Sequence, residues 1–485
     1  MTAQWGEITI EEIIGPVKGK LVSGSSRRTI SGINTDSRDI KTGQLFIALK
    51  GENFDGHDFV NKAIEKGASC AIVERGKRIG EEKESDAAVI EVPDTLNALG
   101  DLALWWKKQF DVTTISITGS MGKTTTKEMA STILELEGDT LRSKGNFNNL
   151  IGLPLTLFQL NGKQRQVVLE MGMNRPGEIG RLTEISDPDI GLITNVGRVH
   201  LEGLGNVEGV ARAKTEMLEA INTESKVILN GDDKILMEAA KRFNRRTYTY
   251  GTCPDNDISA SKIDDLGQEG SLFEVTYEGG SFPIRIRVPG YHNILNAIAA
   301  SSIAICMGIS VNNITRGLKK YKGTKGRLIP VTLKDNVTLL DDTYNSNPSS
   351  LKAVLQTVKK MSGDSRRIII GLGEMLELGE EAIPAHLEAG EMVAETGASY
   401  FLAMGEHARY MLKGAIDKGF PSEMTVEVKS HQDMANKIKN AMEKDDLILL
   451  KGSRRIGLDS VVRDLREKGG KEEKNGQIKA DYGRG

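Results

Sequence analysis

Cysteine is scarce in this sequence. Only three occur in 485 residues, Cys70, Cys253 and Cys306, far apart and with no Cys-x-x-Cys pair. That argues against a disulfide framework and a cysteine zinc site, and it fits a reducing, cytoplasmic setting. Long apolar runs are also missing: no stretch approaches the ~20 residues that a membrane-crossing helix needs, so no membrane span is expected. Residues 1–15 are acidic and mixed rather than basic then apolar, so no signal peptide is expected. Nor is there an excess of one charge. The formal net charge is −3, which gives no global field for nucleic acid. An anionic ligand has to be drawn by local basic groups. Self-similarity is absent as well.

The rest of the composition is ordinary for a globular protein, with 39% hydrophobic and 27% charged residues. At ~100–200 residues per domain, about three α/β domains are expected. The first, 1–93, is small: residues 45–49 and 68–73 read as strands and 59–66 as a helix. The second, 94–322, opens with Asp94 or Thr95 as a helix N-cap. Short buried-looking strands follow at 113–118, 166–171, 190–195 and 226–230. Helices alternate with them, which predicts a mostly parallel sheet covered on both faces. A β-rich stretch, 258–288, interrupts the alternation, and a helix is expected over 294–307. The third domain, 323–466, repeats the strand–helix alternation and reads as a doubly wound, Rossmann-like unit. The tail, 467–485, is charged and poor in apolar residues, so it is expected to be disordered.

One segment carries recognisable chemistry. The β-branched run Ile115-Ser116-Ile117-Thr118 leads into Gly119-Ser120-Met121-Gly122-Lys123-Thr124-Thr125, and a helix is expected next. Glycines let a chain turn tightly and offer N–H groups to phosphate oxygens, and the helix start adds partial positive charge. A lysine in this position reaches β/γ-phosphates, and the following threonine hydroxyl can ligate Mg²⁺. The usual spacing of four residues between the glycines is shortened here to two, Ser120 and Met121. ATP is therefore the expected cofactor.

Other segments point further. Residues 145–154, Glu170-Met171-Gly172, 194–203, Ala213-Lys214-Thr215-Glu216, 290–296 and Gly326-Arg327 occur in that order after the loop begins. Together with the loop they resemble the Mur ligase family, amide-forming enzymes of peptidoglycan precursor synthesis, over nearly the whole chain. Residues 342–349 and 373–379 resemble the members that take D-alanyl-D-alanine as the amine. The relative that adds the third amino acid usually carries an Asp-Tyr-Ala-His-like sequence at the first of these places. The resemblance therefore implies a monomeric ligase joining D-alanyl-D-alanine to UDP-N-acetylmuramoyl-tripeptide through an acyl phosphate, with ATP and two Mg²⁺ ions.

It also implies roles for single residues, each beside a plainer reading. Glu170 and His200 would be Mg²⁺ ligands with Thr124; on sequence alone they are a strand-end acid and a structural histidine. Lys214 would be carbamylated by CO₂ and help position metal; on sequence alone it is a solvated lysine on a charged helix. Asn296, with Asn293 nearby, would contact adenine, or the two cap a helix. Arg327 would contact phosphate, Asp342 ribose, and Tyr344 would pack near the nucleotide. The ATP site is then expected to be split between the second and third domains. Ser37, Arg38, Asn53, Asp55 and Gly56 would bind the uridine nucleotide, or form loop turns. Asn146, Asn148 and Asn149 would orient substrate, and Asn345 and Asn347 the dipeptide. Lys451, Ser453 and Arg454 are weaker candidates for its carboxylate.

Overall fold

A computed structural model describes residues 5, 8–77, 86–363 and 365–467. The chain divides into two compact units, one ending at Lys322 and the other beginning at Gly323. The expected disordered tail lies outside the described residues except for Glu467, which ends the helix Asp459–Glu467.

The first unit holds two large sheets. The smaller has five strands in the order Lys20–Ser23, Ala88–Val92, Cys70–Glu74, Leu45–Ile47, Ile33–Asn34. All its neighbours are parallel except the first pair. The larger has nine strands. Thr113–Thr118 is central, between Gln166–Glu170 and Ile190–Ile193, and all three run parallel. These strands are buried on both faces, which is why their sequences read as continuous apolar or β-branched runs rather than alternations. The β-rich 258–288 stretch closes this sheet as antiparallel strands, Ile258–Asp265, Ser271–Tyr277 and Gly280–Ile286. One continuous core joins the two sheets, running from Trp5 and Ile90 to Leu169 and Met217. At its centre Trp5 stacks on Trp106 with centroids 4.7 Å apart. Such a pair adds about 0.5–1.5 kcal/mol beyond its buried area. Asp94 caps the helix Thr95–Lys107, which supplies Trp106, by accepting from the Asn97 amide at 2.6 Å.

Two helix expectations shift. The 59–66 helix begins earlier, as a tight turn Gly56–Phe59 before Val60–Glu65. The 294–307 helix spans Tyr291–Cys306, with Gly290 at φ +97° as its N-cap four residues after the preceding strand ends at Ile286. Asn293 and Asn296 therefore lie inside the helix, not at its cap.

The second unit has a six-stranded sheet in the order Ile329–Thr332, Thr338–Asp342, Leu447–Lys451, Ile368–Gly373, Tyr400–Met404, Thr425–Val428. Only the first strand is antiparallel to its neighbour. Separate apolar clusters cover the two faces, as a doubly wound sheet requires. Among the described residues of both units, no helix is long and apolar enough to cross a membrane.

Beyond the carboxyl ends of Ile368–Gly373 and Tyr400–Met404 sits a polar pin. Glu374 accepts from the Glu406 amide at 3.0 Å and pairs with His407 Nδ1 at 2.5 Å. His386 stacks on His407, accepts from the Met375 amide through Nε2 at 3.0 Å and donates from Nδ1 to the Ala382 carbonyl at 2.6 Å. Glu374, His386 and His407 are close enough to be considered as metal ligands. Yet both nitrogens of His386 are already committed to backbone, so the group reads as a clamp on residues 374–376. Burial holds His386 below the usual histidine range, with His407 adding to the effect and Ala382 and Glu374 opposing it. A histidine depressed in the folded state contributes stability above its unfolded pKa of ~6.5. That stability is lost as pH falls toward the folded value, because the unfolded chain takes the proton first. The urea midpoint of the intact chain should drop between pH 7 and 5, and His386→Gln should flatten that drop. Parallel pH profiles for the two proteins would reject the clamp.

Candidate functional site

Strand register decides where the chemistry collects. Thr118 lies opposite Ile193 and Ile117 opposite Glu170, so the residues after these strands emerge side by side at one sheet edge. Ligands of α/β proteins bind at such carboxyl edges. Gly119 and Gly122 make the turn with φ of +143° and +81°. A Cβ at Gly119 would lie 1.8 Å from Thr194 Oγ1, and one at Gly122 would lie 2.2 Å from Asn296 Oδ1. Space as well as φ therefore requires glycine at both positions.

The loop is braced from the neighbouring strand end. Asn195 accepts the Ser120 amide on its carbonyl and the Met121 amide on Oδ1, both at 2.9 Å. Thr194 Oγ1 donates to the Met121 carbonyl at 2.5 Å, and the Gly197 amide donates to Ser120 Oγ at 2.8 Å. The Ser120 and Met121 amides are thus both directed at Asn195. The helix Lys123–Leu134 follows, with Gly122 as its N-cap. First-turn N–H groups have no intrahelical acceptor, so Lys123, Thr124 and Thr125 supply the donors a phosphate would use. Lys123 Nζ folds back to the Gly119 carbonyl at 2.6 Å.

Glu170 is the focus of the edge and is only 3% exposed. Its Oε2 accepts from the Thr124 hydroxyl at 2.8 Å and its Oε1 from Asn148 Nδ2 at 2.9 Å. The solvated strand-end reading is thereby excluded. Asn148 also accepts the Gly172 amide on its carbonyl, while Asn149 Oδ1 accepts from the Gly152 amide at 2.8 Å in the turn that leads into the helix Gly152–Leu157. Asn146 is exposed beside them. Thr124 and Glu170 present hard oxygen donors a hydrogen-bond length apart, the donor chemistry Mg²⁺ prefers.

Lys214 overturns the solvated reading. Its helix, Val207–Ala220, is charged in sequence, but Lys214 lies on the face packed inward and is 2% exposed. Burial, reinforced by the charge of Lys123, pulls its amine well below the usual lysine range. His200 is the left-handed residue, φ +53°, before the short helix Leu201–Leu204, just past the segment that braces the loop. Asn293 and Asn296 are buried: Asn293 Nδ2 donates to the Pro289 carbonyl at 2.7 Å, and Asn296 Nδ2 to Asn293 Oδ1 at 3.2 Å. Asn296 Oδ1 in turn accepts from the Thr126 hydroxyl at 3.4 Å and lies close against Gly122.

The residues expected at the uridine end divide. Arg38 and Asn53 are exposed and Ser37 is buried. Asp55 caps its own turn, takes a 2.7 Å bond from Lys77 Nζ, and pairs with His57 Nδ1 at 2.5 Å. Lys77, and then His57, hold its carboxyl far below the carboxylate range. A Cβ at Gly56 would strike Leu49 O at 2.6 Å. For Asp55 and Gly56 the turn chemistry is what the fold displays.

In the second unit, Asp342 ends its strand with both oxygens engaged, Oδ1 by the Leu328 amide at 3.0 Å and Oδ2 by Lys451 Nζ at 2.6 Å. Lys451 also donates to the Asn345 carbonyl, so its charge is spent internally. Asn347 caps the helix Pro348–Ser362, and Asn345 is exposed. The Tyr344 ring lies against two guanidinium groups, Arg327 at 4.1 Å and Arg454 at 5.0 Å.

Three residues of the edge escaped the sequence reading: Asn195, Ser143 and Lys127. Lys127 had a signal, since four residues after Lys123 places it on the same helix face.

The Mur ligase middle domain matches residues 117–304, the Mur ligase glutamate ligase domain 326–454, and the Mur ligase family catalytic domain 29–106. The UDP-N-acetylmuramoyl-tripeptide–D-alanyl-D-alanine ligase of Bacillus subtilis is 35% identical, over 95% of this chain and 98% of the relative. The Escherichia coli enzyme of that name is 33% identical, over 95% and 99%. Among solved structures, MurF from Acinetobacter baumannii superposes with TM-score 0.85 at 30% identity, covering 95% of this chain and 99% of that one. MurF ligase from Thermotoga maritima, solved with ADP, gives 0.79 at 26%, covering 89% and 96%. The matches extend over both units, and the chain belongs to the Mur ligase family.

Proposed function

We propose that this chain is an ATP-dependent amide ligase that joins D-alanyl-D-alanine to UDP-N-acetylmuramoyl-tripeptide, releasing ADP and phosphate. The observation that carries the reading is Glu170 fixed 2.8 Å from the Thr124 hydroxyl on the rim of a Gly-Lys-Thr phosphate loop. Relatives that bear this activity in their names are 33% and 35% identical to it over nearly their whole length. The loop supplies the phosphoryl chemistry, and the relatives supply the acceptor.

In the first step an oxygen of the tripeptide carboxylate attacks the γ-phosphorus and the bond to ADP breaks. In the second the dipeptide amine attacks the acyl carbon, loses a proton, and expels inorganic phosphate. The first step brings like charges together, so cationic groups have to offset the repulsion. Lys123 and the first turn of its helix hold the phosphates. Mg²⁺, held by Thr124 and Glu170, would supply Lewis-acid neutralisation of the transferred phosphoryl group. His200 is proposed as a ligand of a second ion. Asn296 and Asn293 shape the adenine end beside the loop, and residues 1–93, through Arg38 and Asn53, hold the uridine nucleotide. Arg327, Tyr344 and Arg454 form a cationic, aromatic surface suited to an anionic group.

Lys214 fits the carbamate role because its burial favours the neutral amine. Only an unprotonated amine adds CO₂, forming a carbamate and releasing one proton. Burial and Lys123 both favour that neutral form. The resulting anion would replace an awkward second cation near Lys123 with a group that supports metal.

Two outcomes are expected. Tripeptide with ¹⁸O in its reacting carboxyl should deliver the label to released phosphate; phosphate without label would end the acyl-phosphate reading. Lys214→Ala should lower turnover by at least roughly tenfold, with partial recovery on adding short-chain carboxylates. Wild-type protein under ¹³CO₂ should show a carbamate carbon resonance that the variant lacks, and its absence from wild type would remove the carbamate.

A further inference from the structure

Lys127 is a fully buried lysine that neither the loop motif nor the reaction calls upon. Its side chain is 1% exposed, and its ammonium donates to the Ser143 carbonyl at 2.6 Å. It pairs with Glu128 at 3.0 Å and stands 4.0 Å from Glu170 Oε2. Ser143 closes the circuit, because its hydroxyl accepts from the Glu170 amide at 3.2 Å. Lys127 thus joins three elements at one point: its own helix, the end of the strand Thr140–Arg142, and the last residue of Gln166–Glu170.

We propose that Lys127 and Ser143 form a brace that positions the Glu170 carboxylate for the metal-dependent binding of nucleotide. Lys127 is a positioning residue: it touches Glu170 and backbone, and its place in the core keeps it away from any ligand. Glu128 already balances its charge, so the brace contributes geometry more than field. The hydroxyl of Thr124 and the amide of Asn148 fix one oxygen each. The Ser143 hydroxyl holds the Glu170 backbone amide and the Lys127 ammonium stands beside Oε2, so the two fix the strand end from which the carboxyl projects. Outer partners of a metal ligand commonly change metal affinity by about 10–100-fold.

The inference rests on the metal role proposed for Glu170, and calorimetry separates the two. ADP binding to the full chain is titrated with Mg²⁺ and with EDTA, and the ratio of the two affinities is the readout. Wild type should show tighter binding with Mg²⁺. Lys127→Met should shrink that ratio by about tenfold while leaving binding in EDTA within about twofold. Ser143→Ala, which alters no charge and carries less risk to folding, should shrink it by roughly threefold. A wild-type ratio of one would overturn the metal role and the brace with it. A wild-type ratio well above one that survives in both variants, even with lowered thermal midpoints, would overturn the brace alone and leave Lys127 a structural residue.

Discussion

Glu170 carries its charge into a place where water contributes little. An unpaired carboxylate at that depth would take up a proton or drive the strand end outward, since burying a lone charge costs several kcal/mol even after relaxation. Here the carboxylate is answered by a hydroxyl, a side-chain amide and an ammonium 4.0 Å away, while a serine hydroxyl accepts the backbone amide of the same residue. Thr124 and Lys127 come from one helix, and Asn148 and Ser143 from the segment between two strands. The helix Lys123–Leu134, the 145–150 loop and two strand ends must therefore all be in register before the carboxylate is satisfied. That single requirement ties the phosphate loop to the sheet more firmly than the loop's own turn does. It also explains why Asn148 and Ser143, in an otherwise exposed and glycine-bearing stretch, are directed inward.

Charge of the opposite sign is managed differently. Lys123 and Lys214 feel each other, and the buried partner is driven toward neutrality rather than paired. A neutral buried amine is tolerable in a core and reactive toward an electrophile. An ammonium in the same place would need a carboxylate of its own, as Lys127 has in Glu128 and Lys451 has in Asp342. Of these three buried lysines, then, two have a carboxylate within ion-pair distance, and for the third burial and a neighbouring cation favour the neutral amine.

The sequence was most legible where local physics alone decides the outcome. Thr113–Thr118 and Lys226–Asn230 follow from β-branched and apolar runs bounded by turn residues, and no tertiary contact is needed to read them. The loop was readable because glycine, lysine and threonine there have few other uses together. Lys214 was not, since Val207–Ala220 has the composition of a surface helix and only its packing against Glu178–Ser186 and Lys234–Ala240 reveals which face is dry. Asp55 and Asn347 were read as ligand contacts from their neighbours, and the structure shows each capping its own element. A cap and a binding group use the same short polar side chains, so sequence offers no way to separate them.

Asp342 shows how magnitude settles such a double claim. It stands at a carboxyl edge where a ribose could reach it, and it also holds Lys451 at 2.6 Å. A unit-charge pair ~4 Å apart at an effective dielectric of ~20 attracts by about 4 kcal/mol, and this one is closer. A neutral hydroxyl contributes about 1 kcal/mol net. A sugar hydroxyl therefore cannot displace the ammonium, whose burial without a partner would be costlier still. What remains is addition: each carboxylate oxygen keeps a second acceptor position, and a hydroxyl can donate to it while Lys451 and the Leu328 amide stay in place. An acid held in this way is already oriented and buried, so its structural bonds and a further donor are compatible rather than rival demands.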